Sequence, residues 1–202
     1  MPKINMPKKS PTLDMTPMVD LAFLLVTFFM LTTKFRPEEP VIVDTPSSIS
    51  EIKLPERDIM MITIDKDGRV FFDVDGKQTR AKIIEQMGER YKVAFTPEEI
   101  KRFSVLSSFG VPMENMKQLL NAKEKEREAI NKQTKGIPAD SLHNELADWI
   151  NYGRNANHKF RIAIKGDGQA NYPIVKDVIK TLQSQKVNKF NLITNLEEAP
   201  KN

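Results

Sequence analysis

Between Met15 and Thr33 the chain carries 19 residues of which Asp20 alone is charged, and this run restricts the fold more than any other feature. As a helix it would be roughly 28 Å long at 1.5 Å per residue, enough to cross a bilayer core. Thr16 followed by Pro17 supplies an N-cap and N1 pair, so the helix is expected to begin there and to end near Lys34 and Arg36. A secretory signal peptide is one alternative, with Lys3, Lys8 and Lys9 as its basic region. It is disfavoured by the acid inside the apolar run and by the continuation Lys34-Phe35-Arg36-Pro37, which offers no small-x-small cleavage site. A buried helix of a soluble domain is the other, but Phe23, Phe28 and Phe29 would then need a core on every side. The mean hydropathy of -0.43 excludes several spans and allows one.

The flanks orient the span. Lys3, Lys8, Lys9 and the amino terminus precede it, whereas Lys34 and Arg36 behind it are followed at once by Glu38 and Glu39, which predicts a cytoplasmic N-terminus. Asp20 is then the residue that carries chemistry. An acid inside a span costs about 2.5–3.5 kcal/mol at the helix centre and less toward an end, so it faces partner helices or water rather than lipid. The plainer reading is an acid near the start of the helix, favoured by the helix dipole and facing headgroups. Thr27, seven residues on, falls on nearly the same face, with Leu24 and Leu31 completing a stripe suited to helix packing. A carboxyl enclosed there can load and release a proton, yet one helix cannot form the pathway alone. A polytopic partner, an oligomer, or both are implied.

The sequence Leu13-Asp14-Met15-Thr16-Pro17-Met18-Val19-Asp20-Leu21 ahead of an apolar helix resembles the signature of the ExbD/TolR family. The resemblance implies a single-pass protein of the bacterial inner membrane with its C-terminal domain in the periplasm. It also implies that Asp20 is the proton-carrying residue of a proton-motive-force-driven motor, with Thr27 as possible pore-lining support. Implied partners are an ExbB/TolQ-like polytopic protein, as a pentamer around a homodimer of this chain, and a TonB-like protein energised for receptor-mediated uptake across the outer membrane. A TolR-like role in envelope maintenance and a periplasmic adaptor without proton transfer are the alternatives. A flagellar stator of the MotB type would carry a peptidoglycan-binding domain that is not found.

The expected organisation is a cytoplasmic tail (1–15), a transmembrane helix (16–35), a Pro-rich linker (36–57) and an α+β periplasmic domain (58–198) with a helical insertion at about 93–158. Four prolines and three serines keep the linker from building a core of its own. Within it, Val41-Ile42-Val43-Asp44-Thr45-Pro46 alternates enough to add as a strand to a sheet edge, with a solvated extended linker as the alternative. It also resembles the segment that docks on the folded domain in the family, which makes Val41, Val43, Asp44 and Pro46 candidate docking residues.

The domain reads as strands at 58–65 and 69–74, a helix at 79–92, a strand at 160–164, a helix at 173–184 and a strand at 189–194, with the helices on one face of a small sheet. The last three elements resemble the family's strand ending in an acid, Tyr-opened helix and final strand. Between the helix at 79–92 and the strand at 160–164, Thr96-Pro97-Glu98-Glu99 is a strong helix start, and further helices are expected at 112–135 and 139–155. The run Lys123 to Glu128 reads as a solvated helix face.

An enzyme is not expected. The chain has no cysteine, which removes disulfides, thiolate zinc sites and a Cys nucleophile. His143 and His158 stand alone, Gly166-Asp167-Gly168 lacks the dinucleotide-binding register, and Asp65-Lys66-Asp67-Gly68 lacks the distal Glu of a calcium loop. No cofactor or metal is called for. The excess of 31 basic over 27 acidic residues is too small to argue for nucleic acid.

Overall fold

Apolar side chains on every side leave the first helix, α1 (Thr16–Thr32), nothing of its own to pack on, and in the computed structural model it buries none of its residues. The structure describes residues 15–33, 43–45, 47–48, 57–140, 143–193 and 195–196. It divides into two units, 1–37 and 38–202. In the first, Met15 rather than Thr16 is the N-cap: its carbonyl accepts from Met18 and Val19, both at 3.1 Å. The helix ends at Thr32, short of the expected boundary at 35. The Thr32 and Thr33 hydroxyls donate back to the carbonyls of Phe28 and Phe29, at 2.8 and 2.5 Å, and Thr33 turns extended. At 17 residues α1 is about 25 Å long, and no helix among the described residues is long and apolar enough to cross a membrane.

In the second unit the strands β2 (Ile59–Ile64) and β3 (Val70–Val74) form the expected hairpin. Gly68, at φ +79°, makes the turn between them, donating to the Asp65 carbonyl at 3.0 Å. β2 also pairs in parallel with β4 (Arg161–Gly166), and β4 with β5 (Phe190–Ile193), giving the order β3-β2-β4-β5. Met60, Ile62 and Ile64 point to one side of β2 and are fully buried. They meet Ile83, Ile84 and Met87 of α2 (Lys77–Tyr91) and Val178 and Leu182 of α7 (Tyr172–Ser184) in one core. The architecture is α+β, with seven helices among the described residues.

The segment 93–158 is woven into this core. It holds α3 (Pro97–Val105), α4 (Met113–Asn121), α5 (Glu124–Gln133) and α6 (Glu145–Ala156). The single helix expected over 112–135 is two, broken at Ala122 and Lys123, which are both extended. There the Glu126 carboxylate accepts the Lys123 N–H at 3.0 Å and restarts the helix as α5. The helix expected from 139 begins only at Glu145, because Ala139 and Asn144 form a bridge and Asn144 Oδ1 caps Ala147.

Trp149 of α6 is fully buried, its ring centroid 4.8 Å from Phe109, 5.8 Å from Phe103 and 6.2 Å from Phe72. Backbone bonds join the same segment to the outer edge of β3. Phe72 and Phe109 exchange both N–H···O bonds, at 2.8 and 3.1 Å, and Ile137 donates to Val70 at 2.9 Å. The second contact needs Gly136, which stands at φ +83° where a Cβ would lie 2.5 Å from the Val70 nitrogen. The segment thereby covers an edge of the sheet that would otherwise present unpaired backbone groups.

Candidate functional site

Asp20 is the fifth residue of α1, past the first turn, in which there is no acid. The dipole therefore acts on it less than on an acid in the first turn. It is exposed, as are Leu24, Thr27 and Leu31 of the same stripe. The Thr27 hydroxyl donates to the carbonyls of Phe23 and Leu24, both at 2.9 Å. The threonine hydroxyl's donor is thus satisfied within the apolar helix. The arrangement leaves one ionisable group on an otherwise uncharged apolar cylinder.

In the second unit, the strap from the candidate docking segment is tied down at its middle. Asp44 donates its N–H to Asp167 Oδ2 at 3.3 Å and accepts from the Gly168 N–H at 2.9 Å. Val43 and Thr45, on either side of it, are buried while Asp44 is exposed. Asp167 stands where β4 ends, its N–H bonded to Ile64 and its Oδ1 accepting from Gln169 at 2.8 Å. Strand pairing itself occurs just beyond the expected stretch: β1 (Ser47–Ser48) runs parallel to β6 (Asn195–Leu196). Val41 and Pro46 lie outside the described residues.

The family model described as biopolymer transport protein ExbD/TolR matches residues 6–197. The chain belongs to the ExbD/TolR family. The match includes α1, the strap, the sheet and the helical segment of this ExbD/TolR protein. No curated protein and no solved structure matches it.

The sheet domain of this ExbD/TolR chain holds several ionisable groups whose surroundings the sequence did not reveal. Thr96 and Glu99 form the capping box that their spacing predicts, at 2.8 and 3.3 Å. Glu99 is also buried and accepts from Asn121 Nδ2 at 2.9 Å. The Thr96 N–H, then Asn121, hold its carboxyl below the usual glutamate range. Glu145 is displaced the other way, upward, chiefly by desolvation. Burial likewise raises the Tyr91 phenol, helped by its 2.8 Å bond to Asp148. Arg69 was missed as a tie. It reaches the buried Asp65 at 2.7 Å through Nε and donates to the carbonyls of Asn131 and Lys132 at 3.2 and 2.9 Å. Spacing along the chain could not signal a contact spanning more than sixty residues. Among the described residues no three His, Asp or Glu side chains converge as a metal-ligand set.

Proposed function

We propose that this chain is the single-span subunit of an inner-membrane motor of the ExbB–ExbD type, driven by the proton motive force, with Asp20 as its proton carrier. The observation that carries the reading is one carboxyl on an exposed, otherwise uncharged helix in an ExbD/TolR protein. An acid on such a surface is tolerated in a bilayer only against partner helices or water. α1 sits at the short end of the roughly 17–25 residues used to span a membrane. The apolar run extends it by Met15 and Thr33. In this reading the N-terminus is cytoplasmic and the sheet domain periplasmic.

A homodimer of α1 surrounded by a pentamer of a three-span ExbB/TolQ-like partner would hide Asp20, with Thr27 on the same face as pore-lining support. One proton moving across 100 mV releases about 2.3 kcal/mol, and the outer domain transmits the resulting motion to a TonB-like protein that serves outer-membrane receptors. Val41, Val43, Asp44 and Pro46 form the docking strap through which the linker engages the folded domain. The ties at Asp44 support this role for the middle of the strap.

The test replaces the native residue by Asp20→Asn in the source organism, grown on limiting iron chelate or cobalamin at matched protein level. Failure to grow, with normal insertion and complex formation, supports the uptake motor. Normal growth overturns it and leaves the envelope-maintenance or adaptor role.

A further inference from the structure

Helix α4 is fastened at its two ends by carboxylates from other helices, and the two fastenings differ in chemistry. At its start, Pro112 is the N-cap and brings no side-chain acceptor. The first N–H of the helix, from Met113, instead donates to Glu145 Oε2 at 2.9 Å, the carboxylate arriving from the first residue of α6. A charged acceptor strengthens such a bond. The same junction is crowded with like charge. Glu114 belongs to α4 itself, Asp148 lies one turn along α6, and His143 offsets them. From α2, Tyr91 donates to Asp148 Oδ2 at 2.8 Å, and Arg90 approaches it at 3.8 Å.

At the far end of α4 the carboxylate is surrounded by donors. Glu99 Oε1 accepts from Asn121 Nδ2 at 2.9 Å and Oε2 from the Thr96 N–H at 2.8 Å. Lys117 of α4 adds positive charge. Arg102, one turn along α3, donates to the Leu120 carbonyl at 3.3 Å and Asn121 Oδ1 at 3.0 Å, with Glu98 at 3.9 Å from its guanidinium. Donors and positive charge favour the ionised form, while desolvation and neighbouring carboxylates favour the neutral one.

We infer that α4 is a proton-graded element of the sheet domain: as the medium acidifies its start changes state first, through Glu145, while its end stays fixed by Glu99. Glu99 holds two donors where Glu145 holds one, and the directions agree: desolvation, with the neighbouring carboxylates, raises Glu145, and the Thr96 and Asn121 donors lower Glu99. Protonation at the start removes the repulsion of Glu145 by Glu114 and Asp148 and turns the charged acceptor of Met113 into a neutral one. α4 contributes Met116, Leu119 and Leu120 to the core.

The experiment is a pH titration of the full chain in detergent, followed by nuclear magnetic resonance at the Met113 amide and the Asn121 side-chain amide. Two separate midpoints are expected, with that of Met113 the higher. Glu145→Gln abolishes the Met113 transition and leaves the Asn121 one, and Glu99→Gln does the reverse. A single shared midpoint in the wild-type chain, or the lower midpoint at Met113, overturns the inference without recourse to any variant. So does a Met113 transition that survives in folded Glu145→Gln protein.

Discussion

Replacing Phe109 by alanine asks directly whether the helical segment 93–158 belongs to the core of the sheet domain. Phe109 is buried, and its ring lies 4.8 Å from Trp149, 5.1 Å from Phe103 and 6.0 Å from Phe72. Its backbone bonds to Phe72 do not depend on its side chain. The substitution therefore removes the ring and leaves the strand-like pairing in place. A buried Phe→Ala change costs about 3–5 kcal/mol through lost transfer energy and the cavity left behind. With a urea slope of about 2 kcal/mol per M for a domain of this size, the midpoint should fall by about 2 M. Trp149 is the single tryptophan of the chain and touches the missing ring, so its fluorescence reports the transition in the purified protein in detergent. Circular dichroism should move with it, because hairpin, α2 and α6 share one core. A change below about 1 kcal/mol, or a fluorescence transition that shifts while the circular dichroism of the sheet does not, would refute the reasoning that this segment and the sheet fold as one body.

Gly136→Ala places a side chain at φ +83° and 2.5 Å from the Val70 nitrogen, so the β3 edge contact must open; a loss of about 1–3 kcal/mol in urea unfolding is expected, and none would contradict the close approach. Arg69→Met leaves the Asp65 carboxylate buried without its guanidinium partner and removes a donor from the Asn131 and Lys132 carbonyls of α5, a loss of about 3 kcal/mol at neutral pH by the same measurement. For Glu99 the folded-state pKa lies below the unfolded one. Its contribution is therefore present above the ordinary glutamate value and lost as pH falls through the folded value. Glu99→Gln should be less stable than wild type at pH 7 and converge with it in acid, and a deficit that persists unchanged at low pH would contradict the assignment.

Much of the sheet is legible from local rules. Alternation over Ile59–Ile64, the glycine at the hairpin turn (Gly68) and the one opening α2 (Gly76), and the 3.6-residue spacing of Ile83, Ile84 and Met87 each act within a few residues, and the elements form where those signals stand. The capping box at Thr96 and Glu99 is local in the same way. What escaped is long-range. The continuous charge pattern from 112 to 135 hides the break at Ala122, since propensity is similar on both sides and the Lys123 to Glu126 bond decides it. The helical segment reads as an addition because nothing near Phe109 or Ile137 in sequence announces their pairing with β3. At the candidate site, the lone acid in an apolar run makes Asp20 visible at once. The end of α1 was less visible, because the turn to extended backbone at Thr33 comes inside the apolar run, before the basic residues that follow. The ties of Asp44 to Asp167 and Gly168 connect positions more than a hundred residues apart, beyond any pattern in the linker itself.

The central claim, that Asp20 carries protons for a motor, is tested most directly by proton influx through the complex of this chain with its three-span partner, purified and reconstituted in liposomes under an imposed potential. The account predicts that Asp20→Asn copurifies with the partner in the wild-type amount and conducts no protons above the empty-liposome rate. Undiminished influx would contradict it, and so would loss of the partner from the Asp20→Asn preparation, which would make the carboxyl a helix-pairing contact instead.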